Sequence, residues 1–224
     1  MEKVLAVPDL HLPFHSAESL TAIYALTEAL RPTVVVQLGD LYDAYAFSKY
    51  PRSHDIMTPK EEIAEARQGG EAFWKNMRKV AGKRTRLVQL MGNHDARPRA
   101  RIQEKYPEIA SLVDIDHLWR FNDVETILDD RCRFEIDGVV YTHGFRSKLG
   151  DHMKYLGKSV VRGHSHRAGV VYLKHWARLL FEMECGYVAD DDAEPLKYTH
   201  TQQMQWIHAV GWVDEFGPRI IPLD

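Results

Sequence analysis

Five short segments place metal-binding or proton-moving residues directly after apolar runs: Asp9-Leu10-His11, Gly39-Asp40, Gly92-Asn93-His94-Asp95, His143-Gly144 and Gly163-His164-Ser165-His166. The donors are carboxylate, imidazole and one carboxamide, without thiolate. That set suits manganese, iron, zinc or nickel rather than a structural cysteine site. Asp9, His11, Asp40, Asn93, His143, His164 and His166 are more donors than one four-coordinate ion uses. Two divalent ions are therefore expected, manganese first, with iron, zinc or nickel as alternatives. Two ions about 3.5–4 Å apart clamp the attacking and leaving oxygens of an in-line displacement and make hydroxide at neutral pH. The chemistry so predicted is hydrolysis of a phosphate ester.

Such residues must be delivered by elements that end where the segments begin. Apolar, β-branched runs predict buried strands over 4–7, 33–38 and 86–91. Ser16 caps a helix over 17–30, and Thr58-Pro59-Lys60-Glu61 is a capping box opening a helix over 59–81, stopped by Gly82. A short helix is expected over 97–105. Beyond it, Asp137-Gly138 joins a hairpin of 133–136 and 139–142. A helix over 147–156 and strands over 159–162, 169–173, 178–183, 204–213 and 219–222 complete the pattern. Four of the five segments thus end a predicted strand, where sites form in α/β sheets. Strand–helix alternation followed by strands argues for one βαβ sheet with a second, more antiparallel sheet packed on it. The expectation is a single domain over 1–224, with 49–82 as its one long insertion and that helix as a lid or a dimer face.

In this order the five segments resemble the full motif string of the calcineurin-like metallophosphoesterases, spanning residues 9 to 166. The resemblance implies a four-layer α/β/β/α sandwich of two mixed sheets flanked by helices, with a dinuclear centre at the strand ends. It assigns Asp9, His11, Asp40 and His166 to one metal and Asn93, His143 and His164 to the second, with Asp40 bridging. His94 is implied to assist the leaving group and Asp95 to orient His94. Asp43 fits a common extension of the second motif, either as an acceptor behind the ligands or as a helix cap. The implied activity is attack by a metal-bound hydroxide on a phosphate ester, a phosphodiester of nucleotides or nucleic acid being favoured. Phosphomonoester hydrolysis is the alternative. A non-catalytic scaffold on the same fold is disfavoured, because His94 and every ligand are present. Nucleases with this motif string add a DNA-capping domain, for which 224 residues leave little room.

With 45% hydrophobic and 27% charged residues, the chain is neither disordered nor low-complexity. Its net charge of −3 offers no global field for DNA or anionic membrane. Residues 75–105, however, hold ten Lys/Arg against two acids, leaving −11 on the rest. Most of these ten are expected on solvated, paired faces. Arg97, Arg99 and Arg101 directly follow the His94 motif and are expected to grip phosphate, with Asn93 and His15 as further substrate contacts. Cys132 and Cys185 suggest small buried hydrophobes in a reducing compartment. The apolar opening is too short for a signal-peptide core. A soluble, cytoplasmic protein without membrane contact is expected, and a homodimer remains open. Phe73, Trp74, Trp119, Trp206 and Trp212 are expected in core or hairpin packing.

Overall fold

A computed structural model describes residues 1–49, 57–128, 133–199 and 205–223. Cys132, residues 50–56 of the 49–82 segment and Met204, where a strand was expected to begin, lie outside them. The buried runs form β1 (Val4–Val7), β2 (Val34–Gln37) and β3 (Arg86–Leu90), which pair in parallel with β4 (Glu125–Ile127). β10 (Ala209–Asp214) and β11 (Gly217–Pro222) extend this sheet antiparallel, in the order β11-β10-β1-β2-β3-β4. The second sheet has the order β5-β6-β7-β9-β8, from β5 (Phe134–Ile136), β6 (Val139–Thr142), β7 (Ser159–Arg162), β8 (Ala168–His175) and β9 (Arg178–Cys185). β6, β7 and β9 are parallel, and the two outer strands run against them. Both sheets are therefore mixed.

Alternating side chains give each sheet two apolar faces. Val36, Leu38, Val88 and Leu90 meet Tyr141, Val161, Met183 and Cys185 between the sheets. The outer face of the first sheet is covered by α1 (Ala17–Leu30) and α2 (Pro59–Ala81), through Ile23, Phe73, Trp74 and Met77. The outer face of the second packs Val140, Val160 and Leu180 on Met153 of α4 (Asp151–Leu156). This is the α/β/β/α sandwich, with α3 (Arg97–Lys105) following β3.

α2 is opened by the Thr58–Glu61 capping box and closed at Gly82 as its sequence demands. Its apolar face packs on the first sheet. Its buried Glu62 accepts the backbone amides of Tyr45 (2.5 Å) and Ala46 (2.7 Å), fastening the loop after β2. α4 starts at Asp151 rather than 147 because Gly150, at φ 95°, interrupts the helix. β4 was not foreseen, since three residues carry too little periodicity. Asp190, Asp191 and Asp192 lie exposed in a loop, and Phe73, Trp74, Trp119 and Trp212 are buried in the core. Among the described residues no helix is long and apolar enough to cross a membrane.

Candidate metal centre

The loops after β1, β2, β3, β6 and β7 carry all five motifs to one end of the sandwich. His11, Asp40, His164 and His166 hold φ of 52°, 51°, 84° and 63°, a left-handed conformation that costs an ordinary residue about 1–3 kcal/mol. Two glycines permit the crowding. A Cβ on Gly92 would run into the carboxylate and amide of Asp40, and one on Gly163 into the carboxylate of Asp9.

On one side, His11 Nδ1 donates to Asp43 Oδ2 (2.8 Å), which turns its Nε2 inward. There it faces His166 Nε2 at 3.1 Å, and His166 Nε2 lies 3.8 Å from Asp9 Oδ1. Asp9, His11 and His166 each offer a ligand atom within one 4.8 Å cluster, as do Asp9, Asp40 and His143. On the other side, His143 Nδ1 donates to the Leu38 carbonyl (3.2 Å), again directing Nε2 inward. That nitrogen lies 2.9 Å from Asn93 Oδ1, 3.2 Å from His164 Nδ1 and 3.3 Å from Asp40 Oδ2. His164 Nδ1 is also 2.9 Å from Asn93 Oδ1. Asp40 shares one cluster with Asp9 and His143 and another with His11 and His94, and so stands between the two sets.

The chemistry of these donors fits divalent cations. In each set lone pairs point at one another, and a single proton can satisfy only one pair. Burial drives His164 down to about 4 and, with His11 nearby, drives His166 well below its ordinary value. Both are neutral imidazoles at neutral pH. Burial would also lower His143, but Asp40 and Asp9 outweigh it and raise it to about 9. The negative field that holds that proton would equally hold a metal ion. A ligand's other ring nitrogen usually donates outward, as His11 does to Asp43 and His143 to Leu38. His166 Nδ1 has no hydrogen-bond partner among the described residues. Its ring is held instead by Tyr187, stacked at 5.0 Å, and Trp206, edge-on at 4.3 Å. Trp206 also packs on the small buried cluster of Tyr187, Ala189 and Leu196, in line with its expected core packing.

His94 sits beside this centre, with Nε2 3.9 Å from Asp40 Oδ2. Its Nδ1 lies 3.3 Å from Asp43 Oδ2, and Arg97 donates to its Nε2 at 2.9 Å. Burial lowers its pKa despite Asp40 and Asp43. Asp95, expected to orient His94, has other partners here: its buried carboxylate accepts the amides of Gly92 (2.8 Å), Tyr42 (2.9 Å) and Leu41 (3.3 Å), tying two loops together. Asp43 is the carboxylate that faces His94, and His94 and His11 offset its burial and hold it below the usual range.

Residues 2–176 match the calcineurin-like phosphoesterase family. The chain belongs to that family. Relatives include the Gene 54 protein of Mycobacterium phage D29, 24% identical over 99% of this chain and 94% of the phage protein. The Gene 54 protein of Mycobacterium phage L5 is 25% identical over 75% of this chain and 71% of its own. Solved structures that match include a Vps29 single mutant from Entamoeba histolytica (12% identity, TM-score 0.45, 98% of this chain and 97% of that one) and TT1561 of Thermus thermophilus (9% identity, TM-score 0.46, all of both chains). The family's two-metal chemistry accords with the clustered histidines and aspartates.

Of the expected phosphate contacts, this phosphoesterase brings Asn93 and Arg97 to the centre but not Arg99 or His15. Residues two apart on a helix do not share a face, so Arg99 turns away from Arg97 and pairs with Asp116. His15 Nδ1 bonds the Pro13 carbonyl (3.2 Å), and its ring lines a groove with Leu20, Tyr24 and Gly69. The remaining cations of the basic stretch are largely engaged. Arg86 pairs with Glu125, Arg101 and Lys105 pair with Glu104, and Arg78 donates to the carbonyls of Gly82, Thr85 and Asp123.

A second buried cluster went unseen in the sequence. Arg162, fully buried, donates to Glu182 (2.8 Å), to both oxygens of Glu184 (2.6 and 3.0 Å) and to the Gly163 carbonyl (3.1 Å). Glu182 also bonds His152 and the amide of Met153, and Glu184 accepts the amide and hydroxyl of Ser165. This network fastens the loop carrying His164 and His166. Its signal was present in Glu182 and Glu184, alternating with apolar residues along β9.

Proposed function

We propose that this phosphoesterase is a dinuclear phosphodiesterase acting on nucleotides or nucleic acid. Asp9, His11 and His166 would hold one divalent ion, Asn93, His143 and His164 the other, and Asp40 both; manganese is the first candidate. The observation carrying this reading is the pair of inward-facing donor sets that share Asp40. Two such ions supply Lewis-acid charge and a nucleophile at neutral pH. The protein's part is to place the phosphate against them. Asp43 Oδ2 faces Nδ1 of His94 at 3.3 Å, and a proton held on that side would leave Nε2 as the nitrogen that exchanges a proton with the leaving oxygen. Arg97 is anchored by the Asp43 carbonyl and carboxylate (3.0 and 3.2 Å) and reaches Nε2 with its other nitrogen. A bound phosphate competes with Nε2 for that donor.

Charge favours the diester. Beyond the metals themselves, the cation that the described residues bring to the centre is Arg97, already partly neutralised by Asp43, so the protein adds little for the second charge of a phosphomonoester dianion. A diester brings one negative charge. The test is hydrolysis of bis-p-nitrophenyl phosphate beside p-nitrophenyl phosphate, after loading with manganese, iron, zinc or nickel, with chelator controls. The diester should turn over faster and chelator should stop it. Faster monoester turnover would replace this reading with a phosphomonoesterase, and two bound metals without turnover would replace it with a binding protein.

A further inference from the structure

We propose that Phe145 and Tyr155 form a shelf beside the metal centre on which an unpaired nucleobase of the substrate stacks; this rests on the phosphodiesterase reading above and names what the diester carries. Asp9, His11, Asp40, His143 and His166 are buried, whereas Asn93 is exposed and His94, Arg97 and His164 are partly so. The His166 side is covered by Tyr187 and Trp206. Asn93 and His164 thus border one entrance to the centre.

The shelf adjoins that entrance. Phe145 follows His143 by two residues, which limits their Cα separation to about 7.6 Å. Between them Gly144 lies against His164, whose Cβ is 3.3 Å from where a Gly144 Cβ would stand. The rings of Phe145 and Tyr155 meet edge-on, centroids 5.7 Å apart, yet stay 45% and 61% exposed. Arg146 lies over both rings at 5.7 and 5.3 Å, and Arg133 over Tyr155 at 6.0 Å. Among the described residues no carboxylate pairs with either guanidinium. Exposed aromatic faces edged by free cations are what single-stranded nucleic acid binds, bases on the rings and phosphates on the charges.

The shelf is also held rigid. The amide of Phe145 donates to His152 Nε2 (3.0 Å), and the buried His152 ring packs 4.5 Å from that of Phe145. His152 is fixed in turn by Glu182. Trp176 is still more exposed, at 87%, but lies in the β8–β9 turn. Because β9 runs parallel to β7, that turn is at the end of the sheet away from the metal ligands.

The experiment compares binding of a short phosphorothioate oligothymidylate with an abasic strand of equal length, by fluorescence anisotropy in manganese. A phosphorothioate diester of one thymidine, run alongside, separates a free nucleotide from a strand as the source of the base. Wild type should prefer the base-bearing ligand by about 5- to 100-fold, the range for one stacked base. Phe145→Ala and Tyr155→Ala should each remove much of that preference, and Phe145→Tyr should keep it. Trp176→Ala should leave it as in wild type. Equal binding of both strands by wild type, a preference that survives in the double alanine variant, or an equal loss in Trp176→Ala would overturn the shelf. Hydrolysis of bis-p-nitrophenyl phosphate reports separately on the phosphodiesterase reading, so its absence overturns that reading whatever the strands do.

Discussion

Two clusters of buried ionisable groups meet at the loop after β7, and they resolve their charges in opposite ways. Around Arg162 each carboxylate touches a cation, Glu182 and Glu184 sharing one guanidinium, although burial still pushes Glu184 up. Around Asp40, carboxylates and imidazole lone pairs converge, with Asp9 pushed up to about 7 by its burial and by Asp40. The first cluster is complete as folded and serves to hold a loop. The second converges donors without enough counter-charge of its own, which is the arrangement that the proposed pair of cations would complete. Buried charge by itself marks neither stability nor function; what distinguishes the two clusters is whether the protein supplies the counter-charge.

The largest effect that tests this contrast is catalytic. His94→Ala should lower kcat by ~10²–10⁴-fold, the range for a positioned acid, with metal content near wild type by elemental analysis. Unchanged turnover would remove His94 from the reaction.

Next comes stability. Arg162→Met strands two buried carboxylates and should cost about 3–5 kcal/mol in denaturant unfolding. In chelator, Asp9→Asn should unfold at or above the wild-type midpoint, since it removes a charge the metal-free fold does not compensate. Added metal should then raise the melting temperature of wild type and not of Asp9→Asn. A loss in Asp9→Asn as large as in Arg162→Met would break the comparison.

The clusters also differ in the sign of their pH response. Burial would raise Glu182, but His152, the Met153 amide and Arg162 lower it to about 2. Its folded pKa lies below the unfolded value, so its contribution is present above about 4.3 and is lost as pH falls towards 2. Asp9 has a raised folded pKa, so in chelator its contribution is present below about 3.9 and shrinks as pH climbs towards 7. Unfolding curves of wild type, Glu182→Gln and Asp9→Asn across pH 2–7 should show slopes of opposite sign for the two sites.

The smallest effect separates neighbouring arginines. Arg97→Ala should lower kcat/KM for diesters by ~10-fold, about the worth of one charged hydrogen bond, while Arg99→Ala should change it less than twofold. Equal losses would mean that Arg99 leaves Asp116 to meet substrate.

Much of the fold and of the centre is legible in the sequence. The capping box at Thr58, the Gly82 stop and the Asp137-Gly138 turn are local signals, and each element forms where its signal stands. The five motifs are legible because strand ends and short loops keep ligands near one another along the chain. Asp95 and Arg99 mislead for a shared reason. Adjacency to His94 suggests contact, but the backbone turns between neighbours and sends their side chains to different partners. Arg162 is hidden inside an apolar strand, since its acids lie about twenty residues away.

The sequence by itself determined the donor types, their order and the family they belong to, because covalent spacing and apolar periodicity are properties of the chain. Only the tertiary structure decided which nitrogen of each histidine faces inward, that Asp43 rather than Asp95 faces His94, and which cations stay free. Those depend on hydrogen bonds and packing between segments up to 155 residues apart, and no local pattern encodes such contacts.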